Sequence, residues 1–591
     1  MNHRNPLIIA ALILQCACIY SQDYLPPHPV WNGKSLNLMR APNDPNAIPF
    51  EKSNGNKSAE FDELTRWFDQ VAKQNDRIHS DTLCFTASGN WVPMYYFSSE
   101  WPMDKDKPVL LFQGGIHSGE IDGLDAGMLL FRDLQSDDLK STADKVNLVF
   151  IPVLNRDGLL RSSADNRINQ RGPETQGWRS NAMNQNLNRD YAKLDAPETR
   201  ALAALINRIN PSLYIDIHVT DGADYQYDIT YGFIGEHGYS PKISTWLSTE
   251  LRPFVNQKLD EAGHIPGDLV FLKDEAHPEA GNMHYMFGPR FSHAYADARH
   301  TPGILVENHS LKPFKQRVLG TRILLEALME ILAQKGNDLK KAMQADATTI
   351  NDSCTITWKE PIISDSVDFL AIQTTRKWSE AAGAEVLSWN AIPYKVKIPE
   401  ITANLPALKR KRPSFYIVPS HRMDIIERLT AHGIQFKTIQ NDTLVDASFF
   451  KFDEVQTVGK LPFQQRIRMQ GKMQIVRLQK VFRKGGILID TRQALSDLCM
   501  LLLDPDSPDS FFQWGMFAEI SEPTEYFEMY AMAPLADQMM REKPELKAEF
   551  DARCLNDEVF RKNPEARLRW WYEHSQYSDE NYLLYPIAFI P

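Results

Sequence analysis

Beyond its first 21 residues the sequence holds few cysteines, and none of them forms a CxxC pair. Cys84, Cys354, Cys499 and Cys554 stand far apart. Such spacing excludes a disulfide framework and a thiolate metal site; it leaves room for one disulfide without naming its partners. Positive charge is also in short supply, with 65 Lys and Arg against 76 Asp and Glu and a net charge of -11. No broad basic stripe offsets that balance, which argues against a nucleic-acid binder. The basic run 409–412 precedes Pro413 and reads as a solvated linker. Past the N-terminus no apolar run is long enough to span a bilayer, so no transmembrane helix is expected in the mature chain. Internal repeats and low-complexity tracts are absent.

What is present is ordinary globular composition, 43% hydrophobic and 24% charged over 591 residues, enough for two or three domains. The N-terminus has the layout of a secretory signal peptide over residues 1–21. Arg4 supplies the positive region, residues 6–20 the short apolar region, and Ser21 a small residue before Gln22. This points to a secreted or periplasmic protein; a lipoprotein anchored at Cys18 is a minor alternative. Residues 22–60, rich in Pro, Asn and Lys, read as an extended lead-in.

From residue 61 the pattern alternates. Helical spacing covers 61–72, 125–134 and 198–209, and a long apolar helix covers 319–332. Continuous apolar strands fall at 108–112, 146–153, 213–218 and 304–306. Buried strands separated by helices indicate an α/β fold: a three-layer αβα catalytic domain over 61–345 with a mostly parallel mixed sheet. After a polar stretch near 335–350 the character changes. Residues 355–407 read as short strands with turns, 415–418 and 487–489 as strands, and 423–431 as a helix capped at Gly433. This makes 350–591 a C-terminal α/β or α+β domain of unknown role.

Chemistry-bearing residues collect at the carboxyl ends of those strands, where α/β sheets gather ligands. Gly114-Gly115-Ile116-His117-Ser118-Gly119-Glu120 follows the first strand, and His218 closes the third. Two imidazoles and a carboxylate with an open fourth position make a catalytic zinc set. Asp216 shares a strand face with His218; it reads equally as a support for that histidine or as a buried acid. Asn188-Arg189 offers a planar fork suited to a carboxylate. Asn155-Arg156-Asp157-Gly158, Arg171 and Arg179 lie in the same loop region. Glu307 ends an apolar strand, where a carboxylate is costly unless it has a task. Taking a proton from zinc-bound water is such a task.

Four motifs in order, HSGE at 117–120, NRDG at 155–158 with NLNRDY at 186–191, DIH at 216–218 and LVE at 305–307, resemble the zinc metallocarboxypeptidases typified by pancreatic carboxypeptidase A. The resemblance spans roughly residues 60–335. It implies His117, Glu120 and His218 as ligands of one Zn²⁺ per chain, Asn188 and Arg189 as the pair that holds a substrate's terminal carboxylate, and Glu307 as general base. It also implies an arginine that polarises the scissile carbonyl, for which Arg171 is the choice and Arg179 the runner-up. Where the family often carries an aspartate that orients a zinc histidine, this chain has Asn186. Tyr285 and Tyr295 are both candidates for the family's mobile tyrosine. The irregularly spaced His284, His293, His300 and His309 read as hydrogen-bonded loop histidines rather than a second metal site.

The activity implied is zinc-dependent hydrolysis of the C-terminal residue of peptides. The alternative is a zinc amidase or deacylase acting on small acyl-amino acids or cell-wall peptides; a non-catalytic binding protein comes last. The partner is thus a peptide or small amide substrate. The sequence does not give the oligomeric state or the preferred terminal residue.

Overall fold

The structure, a computed structural model, describes residues 24–591 apart from Ser99, Trp101, Pro102 and Gln135. The proposed signal segment 1–21, Cys18 included, lies outside the described residues.

Among the described residues nine strands arise before residue 310: β1 (Ile78–Phe85), β2 (Trp91–Phe97), β3 (Val109–Gln113), β4 (Asn147–Ile151), β5 (Leu213–Thr220), β6 (Ile229–Gly232), β7 (Pro266–Gly267), β8 (Asn282–His284) and β9 (Gly303–His309). All but β8 join one eight-stranded sheet in the order β1-β2-β4-β3-β5-β9-β6-β7. The central run β4-β3-β5-β9 is parallel, while β2 and β6 flank it antiparallel. The sheet is therefore mixed α/β, as the buried apolar runs indicated.

Alternation along the central strands feeds two cores. Leu110, Phe112, Leu148, Phe150, Ile215 and Ile217 face one side, where the helices Phe61–Gln74, Asp122–Asp133 and Phe314–Thr348 lie. Leu111, Val149, Ile151 and Tyr214 face the other, against the helix Pro197–Ile209. That second core does not stop at residue 350. Tyr416, Val418, Phe450, Phe512, Trp514 and Tyr585 belong to the same buried cluster. The later sequence thus covers one face of the central sheet.

Ten further strands follow: β10 (Ser353–Trp358), β11 (Ile362–Ser379), β12 (Ala384–Thr402), β13 (Pro406–Lys411), β14 (Phe415–Val418), β15 (Lys437–Thr438), β16 (Thr443–Phe463), β17 (Arg466–Phe482), β18 (Ile487–Asp490) and β19 (Ala588–Ile590). The short strands expected over 355–407 are instead dominated by one long hairpin, β11–β12, which β8 joins in parallel. Pro393 and Pro399 sit inside β12; the pairing shifts register between Ile372 and Thr374, opposite Pro393. A bulge lets a strand run past a residue that cannot donate to the ladder.

The lead-in is tied down. Trp31 Nε1 donates to Gly263 O at 2.7 Å, Ser35 Oγ meets His264 Nε2 at 2.8 Å, and the buried Glu51 pairs with Arg132. The cysteines Cys84, Cys354, Cys499 and Cys554 are free thiols. Among the described residues no helix is long and apolar enough to cross a membrane.

Candidate metal and substrate site

The site begins where β3 ends. Gly115 takes φ +58 there, a conformation that L side chains avoid. A Cβ on Gly115 would also meet the Val153 side chain at 2.9 Å. That turn delivers His117 and Glu120, while β5 delivers His218 in its last turn of pleat. The three are buried, and one ligand atom from each lies within 4.8 Å of the others.

Their orientation is informative. His117 Nδ1 and His218 Nδ1 lie 3.1 and 2.9 Å from Glu120 Oε2. The opposite ring nitrogens point outward, His117 Nε2 to Asn186 Oδ1 at 2.8 Å and His218 Nε2 to Asp216 Oδ2 at 2.9 Å. Oxygen acceptors at Nε2 favour the tautomer with the proton there, which leaves the Nδ1 lone pairs facing the carboxylate. His117 Nδ1 is buried without a hydrogen-bond partner. An orphaned imidazole nitrogen, a second one and a carboxylate converging on one point fit a borderline cation such as Zn²⁺.

Charge around the trio is arranged to match. Burial works against ionised Glu120, but His117 and Arg167 outweigh it and hold its pKa well below the usual range. Its Oε1 faces Arg167 at 3.1 Å and Arg179 at 3.0 Å. Burial lowers the His117 pKa; for His218 the burial effect is overcome by Asp216, and its pKa is raised. Asp216, left open by the sequence, therefore supports His218, and Gln113 Nε2 donates to its other oxygen at 2.9 Å.

Glu307 stands on β9 directly opposite His218 on β5. Burial pushes its pKa up to about 8; His218 pulls it down, and Glu120 and Asp216 push it up again. A carboxylic acid in that range exchanges protons near neutral pH.

Asn188 and Arg189 sit on a tight turn, Leu187–Arg189, that Asn186 caps by accepting from Asn188 N at 3.0 Å. Asn188 Nδ2 lies 3.3 Å from His218 Nε2. The Arg189 guanidinium lies 4.3 Å over the Phe291 ring and donates to Asn188 O at 2.7 Å. Burial, with Arg179 and Arg290 nearby, lowers its pKa to about 10. The acids beside it in sequence are engaged elsewhere. Asp190 pairs with Lys193 and Thr199, and Asp195 with Arg428 and Arg466. Among the described residues no carboxylate lies within ion-pair distance of Arg189.

Arg171 is a correction. The structure does not bring it to the trio: its Nε donates to Leu311 O at 3.0 Å and an Nη to Pro26 O at 2.6 Å. It fastens the lead-in to the loop after β9, while the runner-up Arg179 and the unforeseen Arg167 reach Glu120. Of the two tyrosines, Tyr295 is locked inside by His432 Nδ1 at 2.9 Å and Arg299 at 3.0 Å. Tyr285 remains 47% exposed. It lines a cavity of about 170 Å³ together with Phe271, Phe287 and His293. Three of the other histidines have separate partners, His284 with Glu400, His300 with Ser240, and His309 with Asp224; His293, expected to be hydrogen-bonded in a loop, lies in the helix Ser292–Ala298 with its Nδ1 buried and unpartnered.

The profile described as "Zinc carboxypeptidase" matches residues 64–257. Carboxypeptidase 2 of Trichophyton tonsurans is 22% identical over 517 residues, 83% of this chain and 89% of that protein. Carboxypeptidase 2 of Trichophyton rubrum is 21% identical over 555 residues, 87% of this chain and 92% of that protein. Among solved structures, a metallo-carboxypeptidase from Burkholderia cenocepacia aligns with 47% of this chain and 70% of its own, at 15% identity and a TM-score of 0.35. The profile match over residues 64–257 and the curated relatives support a zinc carboxypeptidase domain in this chain and a zinc metallopeptidase, a hydrolase, as its class.

Proposed function

We propose that this chain removes the C-terminal residue of peptides, with His117, Glu120 and His218 holding one zinc ion. The observation that carries this reading is an arginine without an acid beside it. Arg189 is half-buried, stacked on Phe291 and held next to Asn188, close to a buried metal-binding trio. A desolvated guanidinium lacking a carboxylate is costly unless a ligand supplies one.

Bound to the trio, zinc would supply Lewis acidity and a water of lowered pKa. Each other step falls to the chain. Asn188 and Arg189 would grip the α-carboxylate and fix the last peptide bond beside the trio, which supplies orientation. Glu307 would take a proton from the attacking water and pass it to the departing amine; its raised pKa suits both directions. Arg179, one bond away from Glu120 and 46% exposed along its side chain, would turn to the carbonyl oxygen as negative charge develops there. It takes the role first assigned to Arg171. Asn186 and Asp216 would keep the two imidazoles in register.

Residues 1–21 would direct the chain out of the cytoplasm, 22–60 would anchor along the catalytic region 61–345, and 350–591 would pack on it as a second region. The amidase reading uses the same trio but needs no free carboxylate. A paired assay of peptides and their C-terminal amides tests the choice: cleavage of the free acid alone supports the carboxypeptidase, and equal cleavage supports the amidase.

A further inference from the structure

One segment after residue 350 meets Asn186, beside the metal trio and the Asn188-Arg189 turn. Strands β16 and β17 form a long hairpin in which Phe463 faces Arg466 across a two-residue turn, Gln464-Gln465. Both glutamines have positive φ, +50 and +65. Such turns ordinarily use Asn and Gly, and a glutamine holds this conformation only where its surroundings over-determine it. Here they do. Phe463 stacks on Trp514 with ring centres 5.9 Å apart, and Arg466 grips Asp195 with two bonds of 2.9 and 2.6 Å.

What the strained turn holds out is an acceptor. Gln464 Oε1 takes the backbone N–H of Asn186 at 2.9 Å, and Gln465 Oε1 lies 3.4 Å from Gln185 Nε2. Asn186 is the residue whose side chain meets His117 Nε2 and caps the turn carrying Asn188 and Arg189. One amide oxygen on a distant hairpin thus fixes the residue through which the metal trio and the carboxylate clamp are both aligned.

We infer that Gln464 is a positioning residue: the tip of the β16–β17 hairpin sets Asn186, and through it the rigidity of the metal site. This rests on the reading of His117, Glu120 and His218 as zinc ligands. Outer partners of a metal histidine typically change metal affinity by about 10–100-fold. One bond further out, an effect of roughly 3–10-fold is expected, the worth of one hydrogen bond.

The test uses the full-length zinc-loaded protein and follows zinc transfer to an excess chelator, with thermal unfolding beside it. Gln464→Met keeps the bulk and removes the acceptor; zinc release should quicken about 3–10-fold. Gln464→Glu restores an acceptor oxygen and should return release to the wild-type rate. Gln464→Gly removes the side chain while relaxing the left-handed backbone, so it should fold at least as well yet release zinc faster. Arg466→Met loosens the same contact without touching Asn186 and should lower the unfolding temperature more than it speeds release. Wild-type release from folded Gln464→Met and Gln464→Gly overturns the inference, as does a loss that merely tracks unfolding temperature across all four variants. A wild-type protein that binds no zinc overturns the ligand assignment instead.

Discussion

His218 and Glu307 are register partners on the adjacent parallel strands β5 and β9. Parallel pairing places facing residues at the same level of the sheet and on the same side of the pleat. The imidazole proposed as a metal ligand and a carboxyl with a pKa near 8 are therefore held side by side by backbone alone, whatever the loops do.

Glu307, the proposed base, is separable from the proposed metal ligands. Glu307→Gln keeps size and hydrogen-bonding capacity but cannot accept the proton. Zinc content should stay at the wild-type level while turnover of a peptide falls at least ~10²-fold. Metal analysis and kinetics on one preparation check both halves. Near-normal turnover would assign the proton to another group.

The trio should bind one zinc per chain. His218→Ala removes a ligand and leaves Asp216 buried without its imidazole partner, so zinc should be lost and the protein destabilised. Mass spectrometry under native conditions counts the metal. A variant that still carries tightly bound zinc at full occupancy would remove His218 from the set.

A pH effect on stability follows from Asp125, which lies in the helix Asp122–Asp133. Its carboxyl is fully buried, with Oδ1 accepting from Ala59 N at 3.1 Å and Oδ2 unpartnered. Burial, with Asp122 and Glu63 adding, pushes its pKa up to about 7 from 3.8. The folded state therefore binds the proton more tightly than the unfolded chain. This contribution is fully present below about pH 4 and is lost as pH rises to 7, at up to about 1.4 kcal/mol per unit. Unfolding temperature against pH should slope downward over that window for wild type and less steeply for Asp125→Asn. Parallel curves would show that Asp125 does not hold the proton.

Much of this was legible beforehand because strand ends mark themselves. The apolar runs before His117, His218 and Glu307 give both the strand and the edge at which its last residue acts. Asp216 could be placed on the right face by pleat alone. Arg171 could not be told from Arg179, because irregular loops have no periodicity to read and both lie in one loop. Asn186 looked like a weakened aspartate, yet an amide oxygen accepts from His117 as a carboxylate would. Gln464 carried no signal in sequence. Its contact joins residues 278 apart, and glutamine at a hairpin turn runs against the local preference that makes turns readable. The long β11–β12 hairpin was hidden for the opposite reason, since its prolines advertise breaks that a bulge absorbs.

The carboxylate clamp separates the two hydrolytic readings. If Arg189 waits for a substrate's α-carboxylate, amidating the C-terminus removes the charge it needs. A charged hydrogen bond is worth roughly 1.5–3 kcal/mol, or about one to two powers of ten in kcat/KM. Free-acid peptides should exceed their amides by at least ~10-fold. Arg189→Met keeps the stem packed on Phe291 and discards the fork, so it should erase most of that difference while leaving zinc in place. Stability should change little, because among the described residues no acid forms an ion pair with Arg189: Asp190 has Lys193, and Asp195 has Arg428 and Arg466. Equal rates on acid and amide in a folded, zinc-loaded wild type would move the assignment to an amidase. An Arg189→Met protein that loses stability but keeps the wild-type preference would return Arg189 to a structural part.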